Sequence, residues 1–230
     1  MKIEVVYEDN HLVAVNKRSG DITQGDKTGD ETLPDKVKSW LAHKYNKPGN
    51  VFLGVIHRLD RPTSGVVIFA KTSKALSRMN ALFKTQDVQK TYWAIVEKKP
   101  NPEKGTLVNY LQKNEKQNKS YPVAKGTAGA KEATLDYQLL TESDRYFLLE
   151  INPHTGRHHQ IRTQLSSIHC IIKGDLKYGA KTSNNDGSIS LHARSVSFIH
   201  PVSKEKVYIE AEVPKDKLWN FFESKEKQKK

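Results

Sequence analysis

An acidic side chain lies between two arginines in the segment His-Arg-Leu-Asp-Arg-Pro-Thr-Ser-Gly, residues 57–65. The acid is Asp60, and its basic neighbours are Arg58 and Arg61. Nearby positive charge favours the ionised form of a carboxylic acid, and an ionised carboxylate can act as a nucleophile or a general base. The pattern therefore predicts either a catalytic carboxylate or an Asp–Arg ion pair that only pins a turn.

The segments on either side of Asp60 are apolar, and the structure that they form decides where in the fold Asp60 lies. Val51–Ile56 precede it and Val66–Ala70 follow it, and Pro62 and Gly65 are typical turn residues between them. We therefore predict two buried strands joined by a tight turn. Such a turn would place the carboxylate at the end of a sheet, where a substrate can reach it.

A second polar cluster follows in the segment Pro-His-Thr-Gly-Arg-His-His-Gln-Ile-Arg-Thr-Gln. It brings Arg157, His159 and Arg162 to a helix that we expect to begin near Thr155. The helix dipole disfavours cations at its N-terminus, so these arginines require a compensating acid or an anionic ligand. We interpret Arg162 as a partner for a buried Asp60, and the alternative is that all of these groups are solvated surface cations.

A tyrosine on a predicted strand is the third candidate. In the segment Lys-Thr-Tyr-Trp-Ala-Ile-Val, residues alternate so that Tyr92, Ala94 and Val96 share one face, and Trp93 and Ile95 share the other. The ring of Tyr92 can stack on a flat ligand such as a base, or it can be an ordinary core residue.

The chain is strongly basic, with 38 Lys and Arg against 26 Asp and Glu and a formal net charge of +12. Such an excess attracts polyanions, most commonly nucleic acid, although lysines also serve solubility alone. Residues 112–131 are polar and carry five lysines, and we predict a mobile basic loop or hairpin that reaches toward a partner.

Several classes of protein and site are disfavoured by the sequence. Cys170 is the single cysteine, which excludes an internal disulfide and favours a reducing, cytoplasmic setting. No apolar run approaches the roughly 20 residues that cross a bilayer. The nine histidines lack the spacing of a zinc site, and no glycine-rich nucleotide loop is present, so we expect no metal and no nucleotide cofactor.

The predicted elements are mostly strands that pair locally, with a few helices between them. This arrangement favours an α+β fold with a mixed, largely antiparallel sheet flanked by helices. We expect one catalytic domain over residues 1–222 and a basic, disordered tail over residues 223–230.

Four motifs together resemble a known family. His-Arg-Leu-Asp-Arg-Pro-Thr-Ser-Gly, Lys-Thr-Tyr-Trp-Ala-Ile-Val, Pro-His-Thr-Gly-Arg-His-His-Gln-Ile-Arg and Leu-His-Ala-Arg-Ser-Val-Ser-Phe-Ile-His-Pro occur in the order and spacing of the RluA-type RNA pseudouridine synthase family. The resemblance extends from about Val5 to Pro214. It implies the pseudouridine synthase fold, an active-site cleft, and isomerisation of uridine to pseudouridine without a metal or cofactor.

The resemblance also implies roles for individual residues. Asp60 would be the catalytic carboxylate, and Arg162 would pair with it. Tyr92 would stack on the uracil and assist proton transfer, and Arg58 would fill the gap that the flipped uridine leaves. We expect Arg61, Arg157 and His159 to contact the RNA as well.

Only 57 residues precede Arg58, and they already hold predicted strands and a helix. We therefore expect a short family member without an N-terminal S4 domain, acting as a monomer on tRNA or rRNA with no obligate protein partner. The alternative is a non-catalytic RNA-binding or RNA-chaperone module on the same fold.

Overall fold

The computed structural model describes residues 3–25 and 29–229. The chain divides into two compact units, each made of two stretches of sequence. The first unit comprises Met1–Gln89 and Ala193–Glu212, and the second comprises Lys90–His192 and Val213–Lys230.

The first unit is built on a sheet in which β1, β2, β4 and β10 lie side by side in that order; β11 pairs with β10, and β3 pairs with β4. Its strands are β1 (Val5–Glu8), β2 (Leu12–Lys17), β3 (Gly54–Val55), β4 (Ser64–Ala70), β10 (Leu191–Ile199) and β11 (Lys206–Glu210), and its helices are α1 (Leu33–Lys44) and α2 (Ser73–Thr85). The first two residues of β10 belong to the second unit.

Local sequence signals determine both helices of the first unit. The Thr32 side chain accepts a hydrogen bond from the Asp35 amide at the start of α1, and the Thr72 side chain caps α2 in the same way. Each cap satisfies an amide that the helix itself leaves unpaired and stabilises the helix by about 1 kcal/mol.

The strand before the Asp60 turn is shorter than the sequence suggests. Val51–Ile56 was expected to be a full strand, but only Gly54–Val55 pairs with β4, opposite Phe69 and Ala70. The expectation is wrong because apolar character alone does not make a segment join a sheet: Leu53 is buried here, whereas Phe52 and Val55 are exposed. The turn thus connects an extended segment to β4, which is buried along its whole length.

The second unit is a sheet in the order β5, β9, β8, β6, β7, and each neighbouring pair is antiparallel. Its strands are β5 (Gln89–Val96), β6 (Lys104–Asn114), β7 (Lys119–Val123), β8 (Lys131–Glu142) and β9 (Phe147–Pro153), and its helices are α3 (Gln160–Ser167) and α4 (Lys217–Lys227). Both units thus confirm the predicted α+β class with a largely antiparallel sheet.

The two faces of β5 bury different sets of residues, as its alternating sequence predicted. Ala94 and Val96 belong to a core that Tyr92 packs against, whereas Trp93 and Ile95 face the core under α4. Each fully buried large side chain stabilises the fold by roughly 1.5–3 kcal/mol. Tyr92 is thus fixed at the edge of a packed face, with its ring half-buried.

The basic segment 112–131 is a hairpin rather than an unstructured loop. β6 and β7 pair from Tyr110 opposite Val123 to Asn114 opposite Lys119, and a short turn joins them. The hairpin alternative of the prediction is confirmed, with Lys113 and Lys119 on its strands and Lys116 in its turn.

Two helix boundaries differ from the expectation. α3 begins at Gln160, not near Thr155, because His159 before it adopts a left-handed conformation with φ 52°. α4 runs through Lys227, so the segment expected to be a disordered tail from residue 223 is helical over most of its length; Lys230 lies outside the described residues. Among the described residues, no helix is long and apolar enough to cross a membrane.

Candidate active site

The turn that carries Asp60 is held by hydrogen bonds to its backbone. The Thr63 amide donates to the carbonyl of Asp60 at 3.0 Å and closes the turn around Pro62. The Thr23 hydroxyl donates to the carbonyl of Leu59 at 3.2 Å. The Asp60 residue itself is half-buried, so its position is constrained while its side chain retains access to solvent.

A buried lysine also binds this turn. The Lys17 ammonium donates to the carbonyls of Arg18 at 3.0 Å, Arg61 at 3.0 Å and Thr63 at 2.7 Å. Lys17 is only 1% exposed. Burial lowers the pKa of Lys17 from 10.5 to about 8, although the negative charges of Asp21 and Asp60 oppose that change.

Two glycines allow the backbone to approach closely around the turn. The Gly20 amide donates to the carbonyl of Arg61 at 2.9 Å, and its φ of 92° favours glycine. Gly65 lies directly opposite Lys17 in the β2–β4 pairing. A β-carbon on Gly65 would lie 2.3 Å from the carbonyl oxygen of Ala193, so a side chain cannot be accommodated there.

The two arginines of the motif are exposed and make separate contacts. The guanidinium of Arg58 donates to the side-chain oxygen of Gln24. The guanidinium of Arg61 forms an ion pair with Asp30 at 2.9 Å. Both side chains are thus available at the surface of the first unit, near the Asp60 turn.

In the second unit, Arg162 forms a two-pronged ion pair with Asp175. Its Nε and Nη2 atoms donate to the two carboxylate oxygens at 2.7 and 2.8 Å. The two side chains are 5% and 1% exposed. Parallel N–H···O bonds of this kind fix the plane of the guanidinium as well as its position. Asp175 was not among the site residues predicted from the sequence.

Tyr178 is the centre of a hydrogen-bond cluster beside Arg162. Its hydroxyl accepts from the amide of Ser120 on β7 at 2.9 Å and from the hydroxyl of Thr163 on α3 at 3.1 Å. It also lies 3.0 Å from the Nδ1 atom of His159, and its ring packs against the guanidinium of Arg162. One tyrosine thus joins the basic hairpin to the helix that carries Arg162.

His159 and Arg157 have different environments, although both were predicted to contact RNA. His159 is buried, and burial together with the charge of Arg162 lowers its pKa to about 2, so the ring is neutral near pH 7. Its surroundings favour hydrogen bonding within the protein rather than a cationic contact to phosphate. Arg157 is exposed, and its Nε donates to the carbonyl of Glu132 at 2.8 Å.

The candidate residues therefore fall into two groups. The first unit brings together Arg58, Asp60 and Arg61, and the second unit holds Tyr92, Arg157, His159 and Arg162. The pairing of Arg162 with Asp60 stays a prediction. Among the residues described, no group of three or more His, Cys, Asp or Glu side chains is placed to hold a metal ion.

The missed residues gave only faint signals in the sequence. Lys17 ends a strand whose first four residues are apolar, and a lysine at a strand end ordinarily extends into water. Asp175 and Tyr178 lie in the segment Gly-Asp-Leu-Lys-Tyr-Gly, whose single 3-10 turn ends at a left-handed Gly179. A short segment with a glycine at each end, one acid and one tyrosine is the pattern that could have indicated Asp175 and Tyr178.

Comparison of the sequence with known proteins shows which family the chain belongs to. The sequence profile of the RNA pseudouridylate synthases matches residues 11–167, a span that includes the Asp60 turn and Arg162. The chain belongs to this family. The RNA pseudouridylate synthase profile ends at the last residue of α3.

Named RNA pseudouridylate synthases are similar to this chain over nearly its whole length. The tRNA pseudouridine synthase C of Vibrio vulnificus is 32% identical over 238 residues, which cover 94% of this chain and 92% of that protein. The ribosomal large subunit pseudouridine synthase D of Zymomonas mobilis is 31% identical over 224 residues, covering 93% of this chain and 70% of that protein.

A solved structure shares the fold of this RNA pseudouridylate synthase. Human RNA pseudouridylate synthase domain containing 4 superposes with a TM-score of 0.79 at 24% identity, covering 95% of this chain and 92% of that one.

Proposed function

We propose that this protein isomerises specific uridines to pseudouridine in tRNA or rRNA, with Asp60 as the catalytic carboxylate. The observation that carries the proposal is the immobilised turn around Asp60, in a chain that belongs to the RNA pseudouridylate synthase family. A turn held at the carbonyls of Leu59, Asp60, Arg61 and Thr63 presents one carboxylate in a fixed position, as a reaction at a single carbon atom requires.

The reaction moves one bond and one proton. The bond between N1 and C1′ of the uridine breaks, the base rotates, and a bond between C5 and C1′ forms. The proton on C5 is released, and N1 takes up a proton, so the product has the same composition as the substrate. Asp60 begins this sequence as a nucleophile at C1′ or as a base at C2′.

The remaining candidate residues act on the base and its neighbours. Extraction of a uridine from its stack costs a few kcal/mol, and the exposed Arg58 offsets part of this cost by filling the gap. Tyr92 stacks on the detached uracil and retains it. Arg162 pairs with Asp60, and its orientation is supported by its ion pair with Asp175.

The β6–β7 hairpin is the proposed RNA-docking surface outside the reacting base. It carries exposed lysines and tyrosines, and Lys119 and Lys125 lie over the rings of Tyr121 and Tyr110. Basic side chains bind phosphates, and aromatic rings stack on unpaired bases. Arg61 and Arg157 add exposed positive charge in their own units.

The setting of this function is proposed from the same features. We expect a cytoplasmic enzyme that acts as a monomer, with no obligate protein partner and no cofactor. The reaction involves no net oxidation or reduction, and a carboxylate supplies all of the nucleophilic or basic chemistry that it requires.

The test of this proposal is pseudouridine mapping. Total tRNA and rRNA transcripts are incubated separately with the protein, and new pseudouridines are located by carbodiimide modification and primer extension. We expect new sites in one of the two classes. RNA that is bound but acquires no pseudouridine in either class would instead support the non-catalytic RNA-binding module.

A further inference from the structure

We propose that a cluster of lysines around Tyr45 is a second RNA-contacting surface, which binds the phosphate backbone of the substrate at a distance from the reacting uridine. The Tyr45 cluster consists of Glu8, Lys44, Tyr45, Lys47 and Lys71, all of them in the first unit. This inference rests on the proposed function, because it assigns a further binding surface to the same RNA substrate.

Three ammonium groups converge on the ring of Tyr45. The Nζ atoms of Lys44, Lys47 and Lys71 lie 5.3, 5.7 and 5.0 Å from the centroid of that ring. Contacts of this kind hold a cation beside an aromatic ring through attraction to its π electrons. Tyr45 is 45% exposed, so the Tyr45 cluster lies at the surface, where a macromolecule can reach it.

One carboxylate organises the Tyr45 cluster. Glu8 accepts a hydrogen bond from the Tyr45 hydroxyl at 2.7 Å, and it forms ion pairs with Lys71 at 2.7 Å and with Lys44. Burial opposes the ionisation of Glu8, but these three donors outweigh it and lower the pKa of Glu8 to about 2. The carboxylate is therefore charged at neutral pH, and the cluster is formed before any ligand binds.

The Tyr45 cluster holds more positive charge than its own acid neutralises. Three ammonium groups face a single carboxylate, which leaves two positive charges in excess. Among the described residues, no carboxylate forms an ion pair with Lys47, whose ammonium contacts the Tyr45 ring instead. Like charges at close range repel one another, and a bound polyanion removes that repulsion. RNA phosphates supply such an anion in a protein of the RNA pseudouridylate synthase family.

The helix dipole explains only part of this arrangement. Lys44 is the last residue of α1, where a cation is favourable. Lys47 lies beyond the helix and Lys71 follows β4, so the dipole requires neither of them. Solubility does not require lysines at one ring either, because dispersed charges serve it equally well.

The Tyr45 cluster and the Asp60 turn lie at opposite ends of β4. The strand begins at Ser64, directly after the turn, and Lys71 follows its last residue, Ala70. At about 3.3 Å per residue, the strand spans roughly 20 Å. The cluster therefore meets a part of the RNA that is remote from the reacting uridine, and it adds affinity without entering the chemistry.

The experiment measures RNA dissociation constants over a range of salt concentrations for the wild type and the double variant Lys44→Gln/Lys47→Gln, with unmodified tRNA and rRNA transcripts. If each lysine binds one phosphate, the slope of log affinity against log salt should become less negative by about 1.4. Binding should then be about 25-fold weaker at about 0.1 M salt and nearly equal at about 1 M. The single-turnover rate constant at saturating RNA should equal that of the wild type, because the cluster lies roughly 20 Å from the Asp60 turn.

The matched control is Lys74→Gln/Lys84→Gln, which removes the same charge from exposed positions on α2 of the first unit. It should leave the salt slope of the wild type unchanged. Equal slopes for the two double variants, whether both changed or both unchanged, would overturn the inference.

Tyr45→Leu tests the ring without changing the charge. We expect the RNA dissociation constant to rise about threefold, because the lysines lose the ring that gathers them. An affinity equal to that of the wild type would overturn the organising role of Tyr45.

The binding measurements separate this inference from the proposed function. A wild type that binds RNA with the expected slopes but isomerises no uridine would refute the proposed function and leave the second surface standing. If the double variant does not fold, Lys47→Gln alone decides, since no ion pair is lost with it. Its slope should change by about 0.7, and an unchanged slope would overturn the inference.

Discussion

Lys17 and Arg162 are both buried cations, but different groups compensate their charges. Arg162 meets a carboxylate through two parallel hydrogen bonds, whereas Lys17 meets three backbone carbonyls. A guanidinium stays protonated in either environment, while an ammonium does not. Arg162 is thus a permanent charge in the second unit, and Lys17 is a titratable one in the first.

The Arg162–Asp175 pair leads to a prediction about stability. Asp175→Asn should lower the free energy of unfolding by roughly 3–5 kcal/mol, because it removes the buried carboxylate that accepts two hydrogen bonds from the guanidinium of Arg162. Denaturant unfolding followed by circular dichroism measures this change.

The control for that experiment is Asp136→Asn. Asp136 forms an exposed pair with His154 at 2.7 Å, and exposed pairs contribute about 1 kcal/mol or less. Equal effects of the two substitutions would show that Arg162 does not depend on Asp175 for its compensation.

At the scale of elements, the hairpin of β6 and β7 is the part of the second unit best suited to reach RNA. Lys113 near the end of β6 and Lys116 in the turn are exposed, and Lys125 follows β7. Tyr178 ties the base of the hairpin to α3 through Ser120 and Thr163. RNA bound at the hairpin, as proposed, would therefore contact an element that Tyr178 joins to the surroundings of Arg162.

Simultaneous Lys113→Ala, Lys116→Ala and Lys125→Ala substitutions should weaken RNA binding. If each lysine neutralises one phosphate, the slope of log affinity against log salt should become less negative by about 2. Binding measured at a series of salt concentrations gives this slope.

The matched control removes three lysines from α1 and α2 of the first unit: Lys38→Ala at a half-buried position, and Lys74→Ala and Lys84→Ala at exposed positions. It changes the net charge equally, so an effect of overall charge would appear in both variants. Equal slopes for both triple variants would contradict a docking role for the hairpin.

The helices and strands that could be predicted are those with local signals. The Thr32 cap of α1 depends on residues within one helical turn. The two faces of β5 follow from the alternation of neighbouring residues along the strand. The start of α3 does not, because it depends on His159 adopting a conformation that residues other than glycine seldom adopt.

The contacts of the site were less predictable than its residues. The type and spacing of side chains made Asp60 and Arg162 candidates, and the family resemblance implied their roles. Asp175 lies 13 positions beyond Arg162 and Lys17 lies 43 before Asp60, and no periodicity connects residues at these distances. Only the folded chain brings each pair together.

At the scale of the whole molecule, the net charge of +12 and the family membership point to the same partner. The charge accounts for attraction to RNA without selecting a sequence, since phosphate contacts alone carry no base information. Selection of one uridine must then come from base contacts and from the shape of the RNA.

The measurement that tests the account most directly is release of tritium from RNA labelled at uridine C5. Formation of the C5–C1′ bond displaces the hydrogen on C5, so each isomerised uridine releases its label into water. We predict release by the wild type, and none by Asp60→Asn, which should still bind the RNA. Release that persists in Asp60→Asn, or its absence with wild-type protein on both tRNA and rRNA, would contradict a catalytic role for Asp60.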